Sequence, residues 1–146
     1  MHELASRTLF EDQTKHLGGR LLRERRWSVI SASYPVLDVV FEGADRVPMR
    51  VRMDCQDWND LPPGVTLLDR EGKPLGTGGA PTGSNIFHQG PHDSTKLPFI
   101  CMASTREYHT HSSHVADSWD NYKQQSGYDL GGILTQIWNG WLKSKS

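Results

Sequence analysis

The apolar spacing near the C-terminus constrains this chain more than any other feature. Leu130, Ile133, Leu134, Ile137, Trp138, Trp141 and Leu142 fall at i, i+3, i+4, i+7, i+8, i+11 and i+12, the period of a helix with one apolar face. Asp129 stands where an N-cap belongs. The two tryptophans of the stripe supply a large share of the area to be buried, at about 150–250 Å² apiece. The stripe therefore reads as a core face, with a cofactor or partner groove as the alternative.

A second pattern has the period of a strand. In 46–53 (RVPMRVRM), Val47, Met49, Val51 and Met53 point one way, and Arg46, Arg50 and Arg52 the other. Cys55 continues the buried parity and reads as core, because free cysteine packs like a small hydrophobe. Residues 27–33 (WSVISAS) and 37–42 (LDVVFE) have the β-branched and aromatic content of strands. After the turn at 57–63, whose paired prolines offer no amide donors, Val65–Leu68 make a fourth. The expected order is a helix and then a four-stranded antiparallel meander.

The helix is expected over residues 3–26, with Phe10, Thr14, Leu17, Leu21 and Leu22 on its apolar side. Gly18-Gly19 weakens it by about 1 kcal/mol per glycine, so a bend or break belongs there. Arg20, Arg23, Arg25 and Arg26 give its end a basic face, either solvated or a docking surface. The glycine-rich stretch 72–85 reads as a mobile loop. It has neither GxxxxGK[ST] nor a full GxGxxG, so a phosphate cradle is rejected.

Composition narrows the class. One domain spanning 1–146 is expected, and 36% hydrophobic residues with 23% charged fit a soluble globular protein. No apolar run approaches the roughly 18 residues of a membrane span, and the N-terminus lacks a signal-peptide core. A net charge of -1 argues against coating nucleic acid by bulk charge. Only Cys55 and Cys101 are present, which excludes a disulfide framework and favours a cytoplasmic setting.

Chemistry concentrates in 86–119. Five of the seven histidines (His88, His92, His109, His111 and His114) lie there, around Cys101. Three readings stand open. Cys101, at the end of the apolar run Leu97–Ile100, is a nucleophile suited to thioester chemistry if Arg106 or a protonated histidine lowers its pKa. Alternatively, Cys101, Glu107, His109, His111 and His114 are zinc ligands, although no CxxC or HExxH spacing supports them. In the third reading the histidines are solvated and the cysteine is inert core.

The order of these elements resembles the ubiquitin-conjugating (UBC-like) fold. Leu61-Pro62-Pro63 with Val65, Phe87-His88, Ile100-Cys101-Met102, Trp119 and the apolar helix from Leu130 carry the likeness, from about residue 4 to 142. It implies an α+β domain in which Cys101 holds a ubiquitin-like protein as a thioester. It also implies that the arginines of the first helix, here Arg20, Arg23, Arg25 and Arg26, help dock the activating enzyme. The 101–114 segment is further similar to a bacterial family described as a predicted metal-binding domain and named for Cys, Glu, His and His. Here these would be Cys101, Glu107 and two of His109, His111 and His114. Members are associated with genes for ubiquitin-like proteins, an activating enzyme and a JAB-type peptidase.

The His-Pro-Asn of conjugating enzymes is missing, because Phe87-His88 is followed by Gln89-Gly90. His88, His109 or His111 would then supply the lost donor. The resulting expectation is a bacterial conjugating-type transferase without a cofactor, passing the modifier from Cys101 to a lysine of a protein substrate. His109 and His111 assist as acid-base or electrostatic groups, and Glu107 orients an imidazole or the incoming amine. The alternatives are a zinc module using Cys101, Glu107, His109, His111 and His114, and an adaptor in which Cys101 only packs.

Overall fold

The computed structural model describes residues 2–145. Alternating apolar residues build a four-stranded antiparallel meander in the order β1 (Trp27–Ser33), β2 (Val36–Phe41), β3 (Met49–Asp54) and β4 (Gly64–Leu68). Leu37 opposes Met53, Val39 opposes Val51 and Phe41 opposes Met49, so one face of the sheet is continuously apolar. On the other face Asp38 is buried, and it accepts two 2.7 Å hydrogen bonds from Arg50 and one of 3.1 Å from Arg52. Charge-assisted pairing of this kind lets a carboxylate leave water.

The apolar sheet face meets α4 (Leu130–Lys143). Leu130, Ile133, Leu134, Ile137 and Trp141 are buried in one cluster with Phe41, Met49, Val51 and Leu67, and the Trp141 and Phe41 rings lie 5.7 Å apart. The capping expectation holds, since Asp129 accepts from the Gly132 amide at 2.7 Å. Trp138 sits at the rim of the stripe, half-buried, and Leu142 is exposed.

The break expected in the first helix is present, and one strand boundary differs from the pattern reading. The first helix is two, α1 (Glu3–Thr14) and α2 (Gly19–Arg25), separated around Gly18, with Gly19 at φ +47°. β3 starts at Met49, after Pro48, which has no amide to donate to the ladder. Val47 therefore lies outside the strand and is 65% exposed rather than facing the core. Arg46 is also outside the strand, with its guanidinium over the Trp141 ring and bonded to the Leu142 carbonyl.

The glycine-rich stretch is tied down at several points. The Ala80 amide donates to the Gln89 side chain at 2.9 Å, and Thr82 bridges to Lys145. Beyond it lie a short hairpin, β5 (Phe87–His88) with β6 (Phe99–Ile100), whose second strand falls on the strand-like apolar run before Cys101, and α3 (Arg106–Thr110); the periodicity foresaw neither β5 nor α3. Among the described residues, no helix is long and apolar enough to cross a membrane.

Candidate functional site: a cysteine–histidine pair at the end of β6

Phe99 and Ile100 are buried, and Cys101 is the first residue beyond them that reaches the surface, half-buried. Its amide donates to the Ile86 carbonyl at 2.7 Å, which anchors it to the segment entering β5. Ile86 in turn lies over Gly140 of α4, where a Cβ would run into its side chain. The turn after the cysteine is held from both sides. Thr105 Oγ1 donates to the Ile100 carbonyl at 2.9 Å and accepts from the Tyr108 amide at 3.2 Å, capping α3. Ser104 adopts φ +108° inside this turn.

His114 is the imidazole that reaches the sulfur, with Nε2 3.5 Å from Cys101 Sγ. Burial raises the Cys101 thiol above its ordinary value, which favours its protonated form. Arg106 does not supply the expected depression. Its Nη1 lies 3.6 Å from Asp54, and its charge is felt at Cys55 and Glu107. Cys55 itself is in the core as expected, with burial pushing its thiol far up.

The other singled-out residues are committed elsewhere. His109 uses both ring nitrogens: Nε2 accepts from the Ser104 amide at 3.1 Å, so Nδ1 donates to the Asp117 carbonyl at 2.7 Å. Burial lowers its pKa, and protonating Nε2 would break the Ser104 bond. It is a structural strut between turns, in place of the acid-base role expected of it. His111 Nδ1 accepts from the Ser113 amide at 3.2 Å and the Ser113 hydroxyl at 2.6 Å, and its ring stacks on Phe99. It flanks His114 at 5.9 Å between ring centroids without meeting the sulfur. His88 also stacks on Phe99, centroids 4.7 Å apart. His92 is buried between the Ser94 amide and the Glu107 carbonyl.

Glu107 is also buried. Its Oε1 accepts from the Val65 amide at 2.8 Å, fastening α3 to β4, and burial raises its carboxyl pKa. Its carboxylate is bonded to the β4 backbone and to no imidazole; the His92 ring meets only its main-chain carbonyl, at 2.9 Å. The zinc set is consequently not assembled: Glu107 turns to β4, and His109 has no free nitrogen. Among the described residues no group of three or more His, Cys, Asp or Glu side chains is arranged to hold a metal ion. The donors present do not fit a zinc centre.

The arginines separate by surroundings. Arg25 lies between the Trp27 and Trp138 rings, 4.9 and 5.0 Å from their centroids, and bonds Thr135 at 2.8 Å. Its guanidinium belongs to the packing of α2 on α4, apart from the exposed arginines. Arg20, Arg23 and Arg26 are exposed, with Arg20 paired to Glu24.

Sequence reasoning missed Tyr108, whose ring stacks on His114, and Asp117, which accepts from the Tyr108 and Tyr122 hydroxyls. No spacing rule couples residues joined across two irregular turns.

Residues 84–144 are similar to the Y4jH-like family, described as the Y4jH family. The matched region holds β5, β6, Cys101, His114 and α4, and leaves α1, α2 and the meander outside it. No curated protein matches the chain.

Proposed function

We propose that the protein is a conjugating enzyme of the ubiquitin type, with a UBC-like fold and Cys101 as the acyl carrier. The observation that carries this reading is the half-buried sulfur at a strand end with an imidazole nitrogen 3.5 Å away. The four-stranded meander flanked by helices supports the fold assignment.

In the proposed reaction the Cys101 thiol gives its proton to His114 Nε2, and the thiolate attacks the carbonyl carbon of a ubiquitin-like protein's C-terminal thioester on the activating enzyme. The Cys101 S–C bond forms, the S–C bond to the activating enzyme breaks, and that enzyme's thiolate leaves and takes up the proton held by the His114 imidazolium, which returns His114 to its neutral form. A lysine amine of a protein substrate then attacks the new thioester. The N–C bond forms, the Cys101 S–C bond breaks, and His114 takes the proton lost by the amine. Negative charge on the tetrahedral oxygen needs fixed donors. The amides of Met102 and Ala103 follow the sulfur directly and bond no protein group among the described residues. They stand in for the missing asparagine of the conjugating-enzyme pattern. Arg20, Arg23 and Arg26 form the docking face for the activating enzyme, and a cytoplasmic setting suits a free thiol.

Mixing the protein with modifier, activating enzyme and ATP should give an adduct cleaved by thiol reductant. Loss of that adduct in Cys101→Ala is the expected result. Full persistence of the adduct in that variant would overturn the proposal.

A further inference from the structure

The chemistry above uses Cys101 and His114, yet His114 has a support of its own. The Tyr108 ring lies flat on the imidazole, with centroids 4.1 Å apart and planes within 12°. Tyr108 is fixed in turn: its hydroxyl donates to Asp117 Oδ2 at 2.7 Å, and the Tyr122 hydroxyl donates to the same oxygen at 2.6 Å. These bonds hold the Asp117 carboxyl below its ordinary value and push the Tyr108 phenol up to about 12. The Asp117 backbone closes the arrangement. Its amide donates to the His114 carbonyl at 2.9 Å, and its carbonyl accepts from His109 Nδ1 at 2.7 Å.

We propose that Tyr108, held by Asp117, is a positioning residue for His114, its ring setting the imidazole plane so that Nε2 faces the Cys101 sulfur. This inference rests on reading Cys101 as a nucleophile activated by His114. A half-buried histidine on a turn has two rotatable torsions, and ordering them costs entropy that a preformed platform removes. The π face below also attracts a cation, so the imidazolium created by the thiol proton keeps its place beside the thiolate. Besides the sulfur and Tyr108, the titratable rings near His114 are His111, at 5.9 Å, and His109. Asp117 acts through Tyr108 by fixing where the phenol stands. One carboxylate accepting from two phenols has the geometry for that task.

The test is the pH–rate profile for alkylation of Cys101 by iodoacetamide, read at Cys101 by mass spectrometry so that Cys55 does not interfere. The S–C bond forms, the C–I bond breaks with loss of iodide, and the thiol proton goes to His114. Tyr108→Leu keeps bulk and removes the π face. It should slow alkylation at pH 7 about five- to tenfold and move the profile midpoint up by about one pH unit. Asp117→Ala and Tyr108→Phe leave the ring but release its tether, and each should slow the reaction about two- to threefold.

The double variant Tyr108→Leu/His114→Ala should react no more slowly than His114→Ala alone, because the ring works only through the imidazole. Equal slowing by Tyr108→Leu with and without His114 would overturn the inference. So would a Tyr108→Leu profile that superimposes on wild type while His114→Ala departs from it, and the activation reading would survive that result. A His114→Ala profile identical to wild type would instead refute the activation reading. Should Tyr108→Leu fail to fold, Asp117→Ala and Tyr108→Phe decide, and wild-type profiles for both overturn the positioning role.

Discussion

Replacing Glu107 separates a structural carboxylate from a catalytic one. Glu107 is buried and accepts from the Val65 amide at 2.8 Å, and Val65 is itself buried. Glu107→Ala therefore leaves a buried N–H without an acceptor, which costs about 1–3 kcal/mol. Losing packed methylene contacts adds about 1 kcal/mol, for a total of about 2–4 kcal/mol. In a chain of this size each kcal/mol lowers Tm by roughly 3–5 °C. Glu107→Gln keeps an oxygen that can accept from Val65 and removes the buried charge.

The sign of the pH effect follows from burial, which raises the Glu107 carboxyl pKa. Between the ordinary glutamate value and the raised one, the unfolded chain has released a proton that the folded chain still holds. Stability of the wild type thus falls as pH rises through that window. Glu107→Gln removes this slope, so it should match or exceed wild type at neutral pH and gain on it as pH increases. The assay is urea unfolding followed by tryptophan fluorescence between pH 4 and 8, with Cys101 alkylation measured on the same samples. Expected are a destabilised Glu107→Ala, a stable Glu107→Gln, and wild-type alkylation per folded molecule in both. A stable Glu107→Gln whose Cys101 no longer reacts would refute the structural assignment.

Three further outcomes follow. His114→Ala should slow both thioester formation and Cys101 alkylation by about tenfold or more at pH 7, while His111→Ala, whose ring does not reach the sulfur, should change alkylation less; stopped-flow alkylation rates check both. Asp38→Ala should cost about 3–5 kcal/mol, because Arg50 and Arg52 lose their buried partner. Burial raises the Asp38 pKa, but the bonds from Arg50 and Arg52 outweigh it and the net value is lowered; this stabilisation is therefore present above the ordinary aspartate range and lost as pH falls through the depressed value, visible as an acid-side drop in Tm that Asp38→Ala lacks. Arg25→Ala should lower Tm through loss of its contacts with Trp27 and Trp138, whereas Arg23→Ala should leave Tm unchanged and, under the proposed function, weaken binding to an activating enzyme, measured by calorimetry.

The regular elements were legible because their physics is local. Spacing at 130–142 specifies a one-faced helix, alternation specifies strands, and Asp129 caps the helix whatever it packs against. Pro48 and Gly18 mark boundaries by backbone chemistry: the glycine pair announces the break in the first helix, whereas the alternation through Val47 conceals the start of β3. The site was legible only as a region. A cluster of histidines around Cys101 says that imidazoles are near a thiol, but hydrogen-bond partners decide which one is free to act. His109 and Glu107 are chemically suited to catalysis and are spent on backbone amides instead.

Residue order by itself determined the helix–meander–helix succession, the buried parity of Cys55 and the placement of Cys101 at the end of an apolar run. Each of these depends on neighbours within a few positions along the chain. Tertiary structure alone decided that His114 meets the sulfur, that Arg25 is inside the packing and that Tyr108 and Asp117 stand behind the imidazole. Those relations join residues across irregular turns, where no period carries information. There the direction of a side chain follows from the competition among amides, carbonyls and rings for the same few hydrogen bonds.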